Sequence, residues 1–210
     1  DYPVFSSLND CNIDVDVIID FSNAQAVDGL LDYAVASKTP VVLCTTGLSE
    51  EQLDKVEAAS KHVAVLRSAN MSIGINVILK LLKEAVSRFA PEGFDVEIVE
   101  KHHNQKLDAP SGTAIALADA MNEEMNGMYE YVYDRSQVRK KRGKKELGIS
   151  AIRGGNIVGE HDVIFAGTDE VITISHSAHS KAIFAKGAIA AAKYLAGRTP
   201  GLYDMSDVMA

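Results

Sequence analysis

The stretch from Glu97 to Ala114 decides how the second half of the chain folds. It reads Glu-Ile-Val-Glu-Lys-His-His-Asn-Gln-Lys-Leu-Asp-Ala-Pro-Ser-Gly-Thr-Ala. Apolar and acidic residues alternate where it begins, and this alternation predicts a half-buried strand. Ser111 follows a proline and is a good N-cap, so a helix is predicted to begin near Thr113.

The loop between this strand and this helix is rich in cations, namely His102, His103 and Lys106. A helix N-terminus attracts anions. The loop therefore predicts a pocket for a small carboxylate or phosphate, with a histidine able to pass a proton near neutral pH. A single histidine is more often structural, but this combination favours function. Zinc is disfavoured, because adjacent histidines point opposite ways in a strand and no Cys or third His lies at ligand spacing.

The composition is that of one large or two small globular domains. Of the 210 residues, 47% are hydrophobic and 24% are charged, and the net charge is −8. This charge argues against nucleic acid or a membrane surface as the main partner. Two cysteines imply no disulfide framework. With no apolar run that could span a bilayer and no signal peptide, we expect a cytoplasmic protein.

The first third of the chain alternates short apolar strands with amphipathic helices. The strands are predicted at residues 16–20, 41–44 and 63–66. This β-α-β-α-β order is typical of a parallel sheet with right-handed crossovers, which binds ligands beyond the carboxyl ends of its strands. Small polar segments follow these ends: Asp20-Phe21-Ser22, Cys44-Thr45-Thr46-Gly47 and Arg67-Ser68-Ala69-Asn70.

The pattern changes after a long helix predicted over residues 72–90. Strands are predicted at 148–153, 162–166 and 170–175, and Gly167-Thr168-Asp169 is a hairpin signal between the last two. Together with the strand before His102, they predict an α+β domain on an open mixed or antiparallel sheet. An alanine-rich helix is predicted from Ser180 to Leu195.

Three further polar segments favour structural interpretations. The basic segment from Arg135 to Lys145 has no interleaved aromatic residues, so a solvated loop is predicted. The glycine-rich segment from Arg153 to His161 precedes a strand rather than a helix, which favours a tight turn over a phosphate loop. Near the last helix, a polar surface turn and a source of positive potential are equally compatible with His176, His179 and Lys181.

The segment from Glu100 to Ala114 closely resembles the signature of the dihydrodipicolinate reductase family, enzymes of lysine and diaminopimelate biosynthesis. Weaker matches follow in the family's order along nearly the whole chain: Asp20-Phe21-Ser22, Cys44-Thr45-Thr46-Gly47, residues 68–76, Arg153-Gly154-Gly155, Gly159-Glu160-His161 and Phe184-Ala185-x-Gly187-Ala188. The resemblance implies reduction of 4-hydroxy-tetrahydrodipicolinate, or of its dehydrated form dihydrodipicolinate, to tetrahydrodipicolinate by NADH or NADPH. It also implies a homotetramer built through the substrate-domain sheets.

The resemblance assigns roles to individual residues. It implies that His102 donates a proton to the ring and that Lys106 holds a carboxylate and supports protonation. The residues implied to bind the substrate carboxylates are His103, Lys106, Ser111, Gly112 and Thr113. Those implied to contact the nicotinamide end of the cofactor are Cys44, Thr45, Thr46, Ser68, Ala69, Asn70 and Met71. The family usually has glycine where this chain has Cys44.

The resemblance also predicts the domain organisation. Residues 1–72 are expected to form a partial, Rossmann-like dinucleotide-binding domain, residues 73–182 the substrate-binding and oligomerisation domain, and residues 183–210 a helix and tail that return to the first domain. Family members begin with a strand, a glycine-rich turn and a helix, and nothing before Asp16 matches them. This predicts weak or absent dinucleotide binding by the chain.

The sequence is also compatible with two alternatives. One is another nicotinamide-dependent enzyme, such as a semialdehyde dehydrogenase, which needs a positioned thiol; Cys44 lies at the wrong end of the fold for that role. The other is a non-catalytic binding or assembly module.

Overall fold

A computed structural model describes residues 2–68 and 70–210 of the chain. Contacts divide the chain into two compact units, residues 1–73 with 184–210 and residues 74–183. The described residues of each unit form one sheet. Among the described residues, no helix is both long enough and apolar enough to cross a membrane.

The elements are numbered in chain order. The strands are β1 (Ile18–Asp20), β2 (Val41–Leu43), β3 (Ala64–Arg67), β4 (Asp95–His102), β5 (Glu130–Val132), β6 (Glu146–Arg153), β7 (Gly159–Ala166), β8 (Val171–Ala178) and β9 (Gly201–Tyr203). The helices are α1 (Ala24–Ser37), α2 (Glu50–Ser60), α3 (Ile73–Phe89), α4 (Gly112–Glu124), α5 (Ala182–Leu195) and α6 (Met205–Val208), and a 3-10 turn covers Leu8–Asp10.

The first unit is a parallel sheet with helices on both faces. Its strand order is β1-β2-β3-β9, and every neighbouring pair is parallel. Val41 and Val65 pack with the residues of α1 and α2, whereas Val42 and Leu66 pack with those of α5. This arrangement confirms the predicted Rossmann-like class. Strand β9 was not predicted, since its three residues carry no periodic pattern.

The second unit is built on a mixed sheet, as predicted. Its order is β5-β6-β4-β7-β8; β4 is parallel to β6 and antiparallel to β7. Helices α3 and α4 cover one face, where Leu82 and Leu117 pack with Val96 and Ile98. The predicted hairpin joins β7 to β8, and its ladder extends to the pair Gly159–Ala178. These strands run beyond their predicted ends because backbone pairing continues through polar residues.

The basic segment before β6 is not simply a solvated loop, and the prediction was wrong for two of its arginines. Arg142 is largely buried and donates to Glu97 Oε1 at 2.8 Å and to Asp95 Oδ1 at 2.7 Å. Arg135 pairs with the buried carboxylate of Glu146. Arg142 of this segment thus neutralises two acidic residues of β4, Asp95 and Glu97.

Candidate active site

The site begins with two polar residues on the buried face of β4. The alternation that buries Val96 and Ile98 continues to Glu100 and His102, which are 0% and 8% exposed. Residues two apart on a strand share a face. The core face of β4 therefore becomes polar at the carboxyl end of the strand.

The carboxylate of Glu100 accepts hydrogen bonds from three residues. Arg153 approaches with both terminal nitrogens, each at 2.7 Å, and the backbone N–H of Ser111 donates at 2.9 Å. Nδ1 of His102 lies 2.7 Å from Oε2. Burial alone would raise the pKa of Glu100, but these hydrogen bonds outweigh burial and hold its pKa below the usual value. Glu100 is therefore a carboxylate at neutral pH.

A second pair of buried side chains lies beside this carboxylate. Ser111 is the N-cap of α4, and its Oγ accepts from the N–H of Ala114 at 3.1 Å. The same Oγ lies 2.9 Å from Nε2 of His161 on β7. Burial, together with the nearby His102, lowers the pKa of His161 to about 4, so this imidazole is neutral at neutral pH. The rings of His102 and His161 meet edge to face, with centroids 5.2 Å apart.

The loop that carries His103 and Lys106 contacts this network through Asp108. Nζ of Lys106 lies 2.8 Å from Oδ1 of Asp108, and the hydrogen bond from Lys106 lowers the pKa of Asp108. The carbonyl of Asp108 accepts a hydrogen bond from Arg153 at 2.7 Å. His103 is half-buried on the same loop.

In the first unit, a buried carboxylate stands at the end of β1. Asp20 Oδ2 accepts from the hydroxyl of Thr45 at 2.6 Å, and Oδ1 accepts from the N–H of Ser22 at 3.0 Å. Burial, and to a lesser degree Asp20, raises the pKa of the Cys44 thiol to about 12. Cys44 is thus a neutral thiol, the opposite of what a dehydrogenase with a thiolate nucleophile needs.

Comparison with known proteins covers both units. The family model described as the N-terminus of dihydrodipicolinate reductase matches residues 1–71, and the model of its C-terminus matches residues 74–209. This chain belongs to the dihydrodipicolinate reductase family.

Individual relatives agree with this family. The 4-hydroxy-tetrahydrodipicolinate reductase of Caldanaerobacter subterraneus subsp. tengcongensis is 56% identical over 209 residues, which are 100% of this chain and 82% of the relative. That of Clostridium novyi is 51% identical, over 99% of this chain and 82% of the relative. A solved dipicolinate-bound dihydrodipicolinate reductase from Paenisporosarcina sp. TG-14 has a TM-score of 0.72 at 23% identity, covers 90% of this chain and 71% of its own, and supports the fold alone.

The structure places the residues matched to the family's substrate signature on one loop and one helix start. His102 ends β4, His103 and Lys106 lie on the loop, Ser111 caps α4, and Gly112 and Thr113 form its first turn. An added Cβ at Gly112 would meet no atom within 4 Å, so the space beside this turn is open.

Sequence reasoning did not assign roles to three members of the network: Glu100, Arg153 and His161. The spacing of Glu100 and His102 on a predicted strand was a usable signal, because it places both side chains on one face. Arg153 and His161 appeared in the sequence only as parts of a turn and of family motifs. Their places beside Glu100 and Ser111 depend on how β6 and β7 pair with β4.

The residues of the first unit fit the nicotinamide end of the dinucleotide that the family uses. The carboxyl ends of β1, β2 and β3 lie at one edge of the parallel sheet, where such sheets bind nucleotides. Thr45 and Thr46 follow β2. Gly47 then turns the chain with a φ of 74°, and an added Cβ there would meet no atom within 4 Å. After β3, Asn70 Oδ1 accepts from the N–H of Ser72 at 2.8 Å. Ala69 lies outside the described residues.

The other histidines predicted near the site, His176 and His179, lie in the same unit as His102, close to the end of that unit. Burial lowers the pKa of His176, so it adds no positive charge to the site at neutral pH; His179 and Lys181 are exposed. Within residues 2–68 and 70–210, no cluster of three or more His, Cys, Asp or Glu side chains is arranged to hold a metal ion.

Proposed function

We propose that this chain reduces 4-hydroxy-tetrahydrodipicolinate to tetrahydrodipicolinate. The ring gains a hydride from NADH or NADPH and a proton from the protein, and the hydroxyl leaves as water. The observation that supports this reaction most directly is the buried Glu100–His102 pair, located where the reductase family's signature begins. A histidine held by a carboxylate is suited to donate a proton in a transition state.

His102 is the proton donor in this proposal. It lies at the carboxyl end of β4, next to the cationic loop and the first turn of α4. The N–H groups of that turn, including those of Gly112 and Thr113, and the positive end of the helix dipole favour a bound carboxylate. Ser111 and His103 complete the polar wall around this carboxylate.

Lys106 holds a carboxylate of the substrate and supports protonation. In the structure its ammonium is paired with Asp108 at 2.8 Å. A bound substrate carboxylate therefore either pairs with Lys106 alongside Asp108 or displaces Asp108 from Lys106. Both partners are anions, and each can pair with the lysine side chain.

When bound, the nicotinamide supplies the hydride. The residues that hold its end of the cofactor in this proposal are Cys44, Thr45, Thr46, Ser68, Ala69, Asn70 and Met71. Thr45 is oriented by its hydrogen bond to Asp20, and Cys44 contributes a neutral thiol.

Replacing the proton donor tests the assignment of His102. In His102→Gln, turnover should fall by about 100-fold or more, the usual contribution of a general acid. The KM for the substrate should change little, because the carboxylates are held by other residues. His179→Gln, which alters an exposed histidine of the same unit, is the matched control. Turnover retained in His102→Gln would overturn the role given to this residue.

Titration with NADH and NADPH, followed by nicotinamide fluorescence, tests the cofactor site. Thr45→Val should weaken binding, because it removes the hydroxyl that is bonded to Asp20. Equal dissociation constants for Thr45→Val and the wild-type chain would contradict the role given to Thr45.

The proposal extends to a cytoplasmic homotetramer built through the sheets of the second unit. The face of that sheet opposite α3 and α4 supports it, since Ile152 and Val171 on this face are 48% and 63% exposed. Lys101 on the same face pairs with Glu160 and Asp162, which offsets part of the negative charge there.

A further inference from the structure

The hydrogen bonds around Glu100 determine which nitrogen of His102 carries a proton. A carboxylate has about four lone-pair positions and donates nothing. Arg153 occupies two of them, and the N–H of Ser111 occupies a third. Because Glu100 is fully buried and ionised, Nδ1 of His102 at 2.7 Å can only be the donor of the fourth bond.

Arg153 fixes the orientation of that carboxylate. Its fork forms two parallel hydrogen bonds to Glu100, an arrangement that restricts the plane as well as the position of the acceptor. The guanidinium is itself held by the carbonyls of Ile152 and Asp108, at 2.8 and 2.7 Å. The carboxylate is thus anchored before it meets the imidazole.

On the other side of the imidazole, Gly159 leaves room beside Nε2 of His102 because it has no side chain. A Cβ added to Gly159 would lie 3.0 Å from Nε2 of His102 and 3.4 Å from its Cδ2. The ring of His161, edge to face with that of His102, limits the imidazole in a further direction. The ring therefore has one nitrogen committed to Glu100, and the other, Nε2, faces the space that the glycine leaves.

We propose that Glu100, anchored by Arg153, is a positioning residue that keeps the proton on Nδ1 of His102 and makes Nε2 the atom that delivers the transferred proton. The assignment rests on the proposed function of His102. In the step itself the Nε2–H bond breaks, its electrons remain on the nitrogen, and the proton goes to the reduced ring. His102 is left as the neutral Nδ1–H tautomer, which Glu100 continues to accept from.

Nitrogen NMR of the wild-type chain tests the tautomer without any substitution. With 15N-labelled histidine, the neutral form of His102 should show a protonated Nδ1 and an unprotonated Nε2. His102→Gln identifies the signal by its loss. A neutral His102 that carries its proton on Nε2 would overturn the proposal, whether or not the chain turns over substrate.

Glu100→Gln tests the consequence for catalysis. The amide nitrogen of the new glutamine donates, so it must face another donor: Arg153, Ser111 or His102. At least one of the hydrogen bonds to residue 100 is therefore lost. We expect kcat to fall by about 100-fold, within the range for a general acid, while KM changes less than about threefold because ground-state binding is intact. Glu100→Asp keeps the charge and should recover part of the loss. The neutral tautomer should shift towards Nε2–H in Glu100→Gln.

The matched control is Glu97→Gln, on the same strand but on the opposite face, where Glu97 pairs with Arg142. A kcat in Glu100→Gln no lower than in Glu97→Gln would show that the Glu100 pair only stabilises the fold. If Glu100→Gln does not fold, Arg153→Lys replaces it in the experiment. This variant keeps the positive charge beside Glu100 but loses the paired hydrogen bonds, so we expect a smaller fall in kcat. A chain with Nδ1–H on His102 but no reductase turnover would overturn the proposed reaction and support the positioning role.

Discussion

At the scale of single residues, Ser111 serves two neighbours with one hydroxyl. Its Oγ accepts the N–H of Ala114 as the cap of α4 and lies within hydrogen-bond distance of His161. Loss of an N-cap costs about 1 kcal/mol, and an unpaired buried polar group costs about 1–3 kcal/mol more. A single hydroxyl therefore connects the stability of α4 to the histidine pair of the site.

We expect Ser111→Ala to lower the free energy of unfolding by about 2–4 kcal/mol, the sum of these two effects. Urea unfolding measures it. Ser49→Ala is the control, because Ser49 caps the exposed start of α2 and contacts no buried histidine; it should cost about 1 kcal/mol. Equal costs for the two variants would show that the bond to His161 adds nothing.

His161 makes stability depend on pH. Its pKa of about 4 lies below that of an unfolded histidine. The unfolded chain therefore binds a proton first as the pH falls. The contribution of neutral His161 to the free energy of unfolding is intact above pH 6.5 and is lost progressively down to about pH 4. The groups that act on His161 are His102, Glu100, His176 and Lys106.

Replacing His161 should flatten this dependence. Between pH 6.5 and 4.5, the free energy of unfolding of His161→Gln should fall by about 2 kcal/mol less than that of the wild type, from the linkage between pKa and stability. Urea unfolding at a series of pH values measures the difference. His62→Gln, at an exposed histidine, should keep the wild-type slope. Parallel curves for His161→Gln and wild type would contradict the lowered pKa.

At the scale of elements, α5 lies close to the chain that follows β3. A Cβ added at Gly187 would lie 1.7 Å from the carbonyl oxygen of Met71, so only glycine allows this approach. A backbone atom cannot move aside as a flexible side chain can. The glycine of the Phe184–Ala188 motif is therefore explained by packing.

Two glycine substitutions in helices separate this packing from helix propensity. Gly187→Ala should destabilise the chain by about 1–3 kcal/mol, as overpacking does. Gly29→Ala in α1, where an added Cβ meets nothing within 4 Å, should stabilise it by up to about 1 kcal/mol. Thermal unfolding of both variants measures the effect. A neutral or stabilising Gly187→Ala would show that α5 does not approach Met71 so closely.

At the scale of the whole molecule, the open face of the second sheet predicts the state of assembly. If that face carries the proposed homotetramer, Ile152→Glu should lower the mass measured by light scattering, because a buried unpaired carboxylate is costly. Ile189→Glu alters an isoleucine of similar exposure on α5 and is the control. A wild-type mass of one chain would rule out the tetramer, and an unchanged tetramer in Ile152→Glu would exclude this face.

The sequence by itself determined the features that depend on local order. The period of two along β4, the cap at Ser111, and the alternation of strands and helices up to β3 were all predicted, because propensity and periodicity depend on neighbouring residues. The family signature located His102 and Lys106 by the same kind of local pattern.

Only the tertiary structure decided which groups meet across the sheet. Arg153 reaches Glu100 because β6 lies beside β4, with Arg153 opposite His102, and His161 lies opposite Glu100 on the other side because β7 runs antiparallel to β4. Arg142 was predicted to lie in a solvated loop, but its carboxylate partners Asp95 and Glu97 lie on β4, far from it in the chain. Strand pairing joins residues about 50 positions apart in the chain, and no local pattern encodes that register.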